Sequence, residues 1–527
     1  MRGVGIAERY NAAADLLDSN LKAGRGAKAA FVDRYGALTY GALALEVRRF
    51  AGALIAAGFA PGDRLILCLL DDRSFPIAFL GAIWAGAIPV PVNTMLAAHE
   101  YFYLVDDSEA LAVIVSPELA TVWTTIAADR PGLRIYSDAE GSFGSLFGHF
   151  ERVQEFASPA DTRADDIAFW LYSSGSTGHP KGTMHRHESL RLTADFYARP
   201  IAAYRESDVV LSVAKLFFAY GLGNALTFPM SCGATAILLH ERATPQLVSE
   251  LIDAHCVTIM CGVPSFFVRW LDAPAALSRM PHASLRLGIS AGEPLPAPVL
   301  ESLTERLSVD VIDGLGSTEM LHIFVSQRPG SVRAGITGCA VDGYELRVVD
   351  DEGMPLPADQ SGHLQVRGRT AAAGYWKQKE KTDRTFTHDG WVNTGDRVRL
   401  DAGGWCHFIG RADDMLKVNG RFVSPIEVEA ALLTHSAPIE AAIVAGKGPH
   451  GLCEPHAFLV LRADIEPTLA LANDLKRHVL AQLPRFKCPE LIFFVESLPK
   501  TATGKLQRYR LRDEREERTA HRARPPS

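Results

Sequence analysis

Long apolar runs are scarce in this sequence. The longest, Ile77 to Val92, is 16 residues and is broken by Pro89 and Pro91, too short and too interrupted for a membrane-spanning helix, so no membrane partner is expected. A surplus of one charge is missing too. The 54 basic residues face 61 acidic ones for a formal −7, which gives no support for a nucleic-acid or anionic-membrane partner. A small anionic substrate would need a local positive site. Cysteine is thin, with eight residues scattered through 527 and no C-x-x-C pair. That pattern argues against a disulfide framework or a zinc site and for reduced thiols in the cytoplasm. The first residues, MRGVGIAERYNAAADLLDSN, carry acidic side chains where a signal peptide needs an unbroken apolar core, so no export signal is expected.

The length alone calls for at least two domains. From about residue 30 to 340, short apolar runs alternate with amphipathic stretches: RLILCLL, LAVIVS, IAFWLY, DVVLSVA, TAILLH, VTIMCGV, LRLGISAG and VDVIDGLG. Such alternation reads as an α/β fold with a parallel or mixed sheet and helices packed on it. Several runs stop at glycine or serine clusters, where open α/β sheets bind ligands. After Gly335 shorter strands with turn signals, as in YELRVVDDEGMPLP, HLQVRG and VRLDAGGWCHFIG, suggest a β-rich subdomain. A small α+β unit is expected from Arg411 onward, giving domains 1–410 and 411–527; its charge-dense tail RDEREERTAHRARPPS reads as a frayed end.

Behind the run DIAFWLY comes LYSSGSTGHPKGTMH, residues 171 to 185. Glycines 175, 178 and 182 let backbone amides turn toward a ligand, and Ser173, Ser174, Ser176, Thr177 and Lys181 add donors around the same space. By composition this is a phosphate cradle. It is not the ATPase P-loop, because its lysine follows Pro180 and precedes Gly182 instead of standing in G-K-[ST]. Short Gly/Ser stretches are also commonly flexible surface loops, and other segments must decide. His185 and His187 form an H-x-H with only Glu188 nearby; without a second ligand pair a metal site is disfavoured, and His185 is read as capping the end of the loop.

Five segments, YSSGSTGHPKG, GLGSTE (314–319), WVNTGD (391–396), GRADDMLKVNG (410–420) and LPKTATGK (498–505), occur in the order and approximate spacing of the acyl-adenylating superfamily. The resemblance spans nearly the whole chain. Within it, AKLFFAYGLGNALTFPMSCGATAILLHERATP (214–245) and DGLGSTEMLHIFVS (313–326) resemble the benzoate-CoA ligase family. The resemblance implies a large N-terminal domain, a small mobile C-terminal one, and a reaction in two halves. Carboxylate and ATP give acyl-AMP and pyrophosphate, and the thiol of coenzyme A then displaces AMP.

The roles that follow are those the resemblance implies. The hydroxyl-rich loop, with Ser173, Ser174, Gly175, Ser176, Thr177, Gly178 and Lys181, holds pyrophosphate, and Thr318 and Ser317 sit at the phosphates. Glu319 coordinates Mg²⁺, where a metal and fixed donors offset charge in the transition state. Gly292, Glu293, Asp313 and Gly314 line the adenine; Asp396 takes the ribose hydroxyls, and Arg411 contacts ribose or phosphate. Lys505 reaches in for adenylation as a point charge on a flexible stem. Asp413 is the hinge, and rotation about it brings Lys417, Gly420 and Arg421 near CoA. Ala219, Tyr220, His322 and Ile323 wall the acid pocket, apolar faces with few polar groups suiting a flat aromatic carboxylate. An acid already ionised at neutral pH needs no general base.

Three other readings compete: an enzyme loading a phosphopantetheinyl carrier protein, a homologue that only binds nucleotide, and a luciferase-like oxygenase. No carrier domain is visible, and Glu319, Asp396 and Lys505 are all present. Nothing in the sequence speaks for the oxygenase. Ring substituents and oligomeric state, a homodimer included, stay open.

Overall fold

The computed structural model describes residues 5–130, 132–137, 158–175, 178–418, 421–447, 453–500 and 506–513. The apolar runs are strands, but they divide among several sheets. Six strands form the parallel centre of a nine-stranded sheet, in the spatial order Val311–Gly316, Leu287–Ala291, Ile259–Gly262, Val209–Ser212, Thr235–Ile237 and Ala29–Asp33. Antiparallel strands close both edges, Ile323–Ser326 and Cys339–Ala340 on one side and Gly36–Thr39 on the other. Ile259–Gly262 and Leu287–Ala291 are buried at every position, as parallel strands covered on both faces must be.

RLILCLL and LAVIVS belong to a separate four-stranded parallel sheet, ordered Ile88–Pro91, Arg64–Cys68, Ala112–Val115 and Arg134–Ser137. IAFWLY departs furthest from the expected α/β alternation. It lies in the strand Ile167–Gly175, which pairs antiparallel with Gly178–Arg186. The glycine-rich segment is therefore the tip of a hairpin rather than a long loop. Gly374–Tyr375 adds a third strand against Thr183 and Met184.

The β-rich subdomain is a four-stranded antiparallel sheet of Glu345–Val349, Ser361–Arg367, Val392–Leu400 and Cys406–Arg411. The third strand alternates buried and half-buried positions along most of its length, the mark of a sheet with one face on a core. Beyond it, helices Pro425–Leu433 and Leu469–Leu480 accompany a sheet of Pro438–Lys447, Cys453–Leu461 and Leu491–Phe494. Their apolar side chains, among them Val428, Leu432, Ile443, Leu459, Leu475 and Ile492, form a cluster of their own that begins at Leu416. Most of the charged tail lies outside the described residues.

Candidate active site

The carboxyl ends of three adjacent parallel strands converge on one region. Ser290 and Ala291 pair with Asp313 and Gly314, and Gly262 lies across from Ser290. Gly292, at φ +93°, turns the chain out of its strand in the left-handed region that glycine enters without steric cost. Its neighbour Glu293 is already engaged, since its carboxylate accepts from the backbone N–H of Ser265 at 3.1 Å and from the Ser265 hydroxyl at 3.3 Å. It thereby caps the helix Pro264–Leu271. Asp313 is buried, and its Oδ1 has no hydrogen-bond partner among the described residues. Burial pushes that carboxyl well above its usual range.

A second group gathers around Glu319. The Lys181 ammonium lies 3.8 Å from Glu319 Oε1, and the Tyr375 hydroxyl stands between them. Tyr375 donates to Glu319 Oε1 at 2.7 Å and accepts from Lys181 Nζ at 3.1 Å, while the same ammonium sits 4.1 Å from the centre of the Tyr375 ring. Burial lowers the Lys181 pKa, with Glu319 opposing. Nearby, Ser317 Oγ accepts from Met320 N at 3.3 Å and Thr318 O from Leu321 N at 3.0 Å. This tight turn presents the hydroxyl-bearing residues beside Glu319.

Asp396 and Arg411 face each other across antiparallel strands. Arg411 Nη1 donates to Asp396 Oδ1 at 2.8 Å and to Thr394 O at 2.9 Å. Burial works against the Arg411 charge, but Asp396 outweighs it and the pKa rises; Glu319 also contributes, which ties this pair to the Lys181 group.

Tyr220, just inside the short helix Ala219–Leu222, places its hydroxyl 3.0 Å from Ile289 O and 3.2 Å from Gly262 O, against the strand ends. Its ring stacks on His322 at 5.8 Å, and Phe228 meets the same imidazole edge-on at 4.4 Å. Ile323 is buried and pairs with Gly316. His322 is buried and both ring nitrogens lack partners among the described residues, and burial drives its pKa down to about 3. A neutral imidazole pressed between aromatic rings is a wall, not a proton carrier. A Cβ at Gly223 would come within 2.4 Å of His322 Cδ2, so the backbone at 223 packs directly against the imidazole.

Lys417 and Arg421 lie on the hairpin of Leu416–Val418 and Arg421–Val423, exposed, with Arg421 stacked over Phe486 at 5.1 Å. Arg397, next to Asp396, reaches the Phe422 ring at 5.1 Å, which sets this hairpin beside the Asp396 strand. Asp413 lies in the short helical turn Ala412–Asp414 directly after Arg411.

The structure thus gathers Lys181, Glu319, Asp396 and Arg411 into one charged group, with Gly292, Asp313, Gly314, Ala219, Tyr220, His322 and Ile323 at the neighbouring strand ends. Ser173 lies in the hairpin strand with its hydroxyl buried and without a partner among the described residues. Ser176, Thr177, Gly420 and Lys505 fall outside the described residues, and only the backbone of Ser174, Gly175 and Gly178 is described. The reading of His185 as a loop cap is corrected: it is buried inside the strand Gly178–Arg186 and stacked on Phe169 at 5.1 Å. The strand turns it to the buried face of the hairpin, which a loop reading could not show. His187 accepts instead from Ala12 N at 3.1 Å. Tyr375 was not among the sequence candidates; the only signal, its place in GYW, says nothing of partners 56 and 194 residues away.

An oxygen-rich, cation-flanked site at the strand ends of an α/β protein suits a nucleotide-dependent acid-activating enzyme. The AMP-binding enzyme family matches residues 19–376, and the AMP-binding enzyme C-terminal domain matches 427–505. A benzoate–CoA ligase of Thauera aromatica is 46% identical over 97% of both chains. The solved benzoate CoA ligase of Burkholderia xenovorans LB400 is 42% identical, covering 95% of this chain and 100% of its own with a TM-score of 0.90. An anthranilate CoA ligase, AuaEII, solved with anthranoyl-AMP, is 37% identical over 97% of this chain and 98% of its own, with a TM-score of 0.92. The chain belongs to the benzoate-CoA ligase family of AMP-binding enzymes and is an ATP-dependent, AMP-forming aryl-CoA ligase.

Proposed function

We propose that the enzyme activates benzoate or a substituted benzoate. One carboxylate oxygen attacks the α-phosphorus of ATP, releasing pyrophosphate and leaving an acyl-AMP. The sulfur of CoA then attacks the acyl carbon, expelling AMP and forming the thioester. The observation that carries the choice of acid is the Tyr220–His322–Phe228 aromatic wall beside the strand ends, together with relatives that act on benzoate and anthranilate. A flat ring fits such a slot better than an alkyl chain does. The carrier-loading alternative gains nothing from a benzoate–CoA ligase matched over 97% of its own length.

In this reading the hairpin tip from Ser173 to Gly178, with Lys181, Ser317 and Thr318, receives the phosphates, and Lys505 assists adenylation. The adenine meets Gly292, the Glu293 backbone, Asp313 and Gly314. Asp313 Oδ1, buried without a partner among the described residues, suits an N–H donor from the base. Asp396 takes the ribose hydroxyls beside Arg411. The donor set around Glu319, a carboxylate next to the hydroxyl residues Ser317 and Thr318, is the all-oxygen kind that Mg²⁺ prefers, and a lysine cation already rests near that carboxylate. Glu319 would hold the metal, which on binding offsets phosphate charge. The domain boundary falls at 410/411, supported by the separate apolar cluster from Leu416 onward. Asp413 is the hinge that lets Lys417, Gly420 and Arg421 approach CoA. No helix among the described residues is long and apolar enough to cross a membrane, and we place the enzyme in the cytoplasm, where its eight cysteines, none in a disulfide among the described residues, would stay reduced.

The test is a panel of benzoate, 2-aminobenzoate, hydroxybenzoates, furoate and octanoate, scored by AMP release with CoA. The highest kcat/KM should belong to an aryl acid. A better rate with octanoate overturns the assignment.

A further inference from the structure

We infer that Tyr375 is a positioning residue that holds Glu319 ready for the metal whether or not Lys181 is beside it. The inference rests on the reading of Glu319 as the metal-binding carboxylate. A phenol has one hydrogen to give and lone pairs to receive, so the two bonds at Tyr375 have a fixed direction. Its hydrogen goes to Glu319 Oε1 at 2.7 Å, and its oxygen receives from Lys181 at 3.1 Å. Among the described residues no protein donor reaches Glu319 Oε2, which leaves that oxygen to a cation.

Tyr375 itself is well fixed. Its strand pairs with Thr183 of the glycine-rich hairpin, its N–H donates to Thr382 Oγ1 at 3.0 Å, and its ring meets Phe386 edge-on at 5.5 Å. The hairpin that carries the phosphate-facing residues therefore also carries the post that holds the carboxylate. In the nucleotide-free enzyme Lys181 serves as an internal counter-cation for Glu319. When triphosphate draws Lys181 away, the Tyr375 hydrogen bond remains, and the long glutamate side chain does not regain the rotamer freedom that metal binding would have to remove again.

Titration calorimetry of ATP alone, without acid substrate, tests this in Mg²⁺ and in EDTA, comparing the parent with Tyr375→Phe, Glu319→Gln and Lys181→Met. Tyr375→Phe keeps the ring and loses only the hydroxyl. It should raise the Kd for ATP with Mg²⁺ by about tenfold, the scale of one hydrogen bond to a charge. The Kd in EDTA should move by less than about twofold. Lys181→Met should weaken ATP in both conditions and keep the tightening by metal. If Tyr375→Phe changes both constants equally, or neither, while Glu319→Gln abolishes the tightening by metal, the role of Tyr375 is wrong and that of Glu319 stands. Full metal dependence in Glu319→Gln overturns the underlying reading and this inference with it, as does loss of metal dependence in Lys181→Met.

Discussion

In the small C-terminal unit Arg508 grips Glu429 with two guanidinium nitrogens, one of them 3.0 Å from Oε2, and also donates to Ile443 O at 3.1 Å. Both side chains of that pair are close to nine-tenths buried. In the large body Lys181 and Glu319 stand 3.8 Å apart through an intervening tyrosine, and buried atoms such as Asp313 Oδ1 have no partner among the described residues. The first arrangement uses up its charges. The second keeps them for something that arrives. The stem below Lys505 follows the first pattern, with Lys500 bound to Glu440 at 2.6 Å and Gln507 N donating to Pro499 O at 2.8 Å. The small unit thus holds these charges in internal pairs, while the large body keeps polar groups unspent at its candidate site.

The sharpest way to break this contrast is to remove one cation from each region. Arg508→Met strands a buried carboxylate and should cost about 3–5 kcal/mol, whereas Lys181→Met should cost less than about 1 kcal/mol, both read from denaturant unfolding. Similar losses would erase the distinction. Next in size, Lys505→Ala should slow acyl-AMP formation by about 10² or more, the scale of one transition-state donor, yet leave thioester formation from supplied acyl-AMP intact. An equal loss in both halves would show that the loop matters only for folding. Tyr220→Ala should lower kcat/KM for benzoate by about tenfold or more through lost ring contacts, with KM for ATP little changed. Comparable damage to ATP use would move Tyr220 out of the acid pocket.

The smallest effect is in pH. Burial holds the His322 pKa at about 3 against an unfolded value of about 6.5, so the unfolded chain binds the extra proton in between. The stabilisation is complete above pH 6.5 and is lost progressively as pH falls toward 3. Replacing His322 by Phe should therefore flatten the decline in stability, by an amount of order 1 kcal/mol at pH 6. Parallel pH curves for the two proteins would contradict this. His185 and His187, held at about 3 and about 4 by the same cause, keep part of the slope in either protein.

The strands that carry the site were legible because a buried parallel strand must be apolar along its length, and the glycines and serines that end each run announce a ligand edge. Their division among sheets was not, since pairing partners such as Ala29–Asp33 and Thr235–Ile237 lie far apart in the chain. The motif residues Glu319, Asp396 and Arg411 were legible one by one, but the pairing of Asp396 with Arg411 came only from strand register. Tyr375 and Arg508 carried no signal at all, because their partners lie 56 and 79 residues away and a lone tyrosine or arginine is ordinary. Glu293 was legible as part of its segment, but the hydrogen bonds of its carboxylate to Ser265 came only from the structure.

The close approach of Gly223 to His322 bears on efforts to redesign the acid preference. Any side chain at 223 would collide with the imidazole, at 2.4 Å from Cδ2 and 2.6 Å from Nε2. A mutant library that varies position 223 alone should return only glycine among its active members. If His322 walls the acid pocket as proposed, varying 223 together with a smaller residue at 322 should tune ring size, so a search for ligases of bulkier acids would move the two positions as a pair.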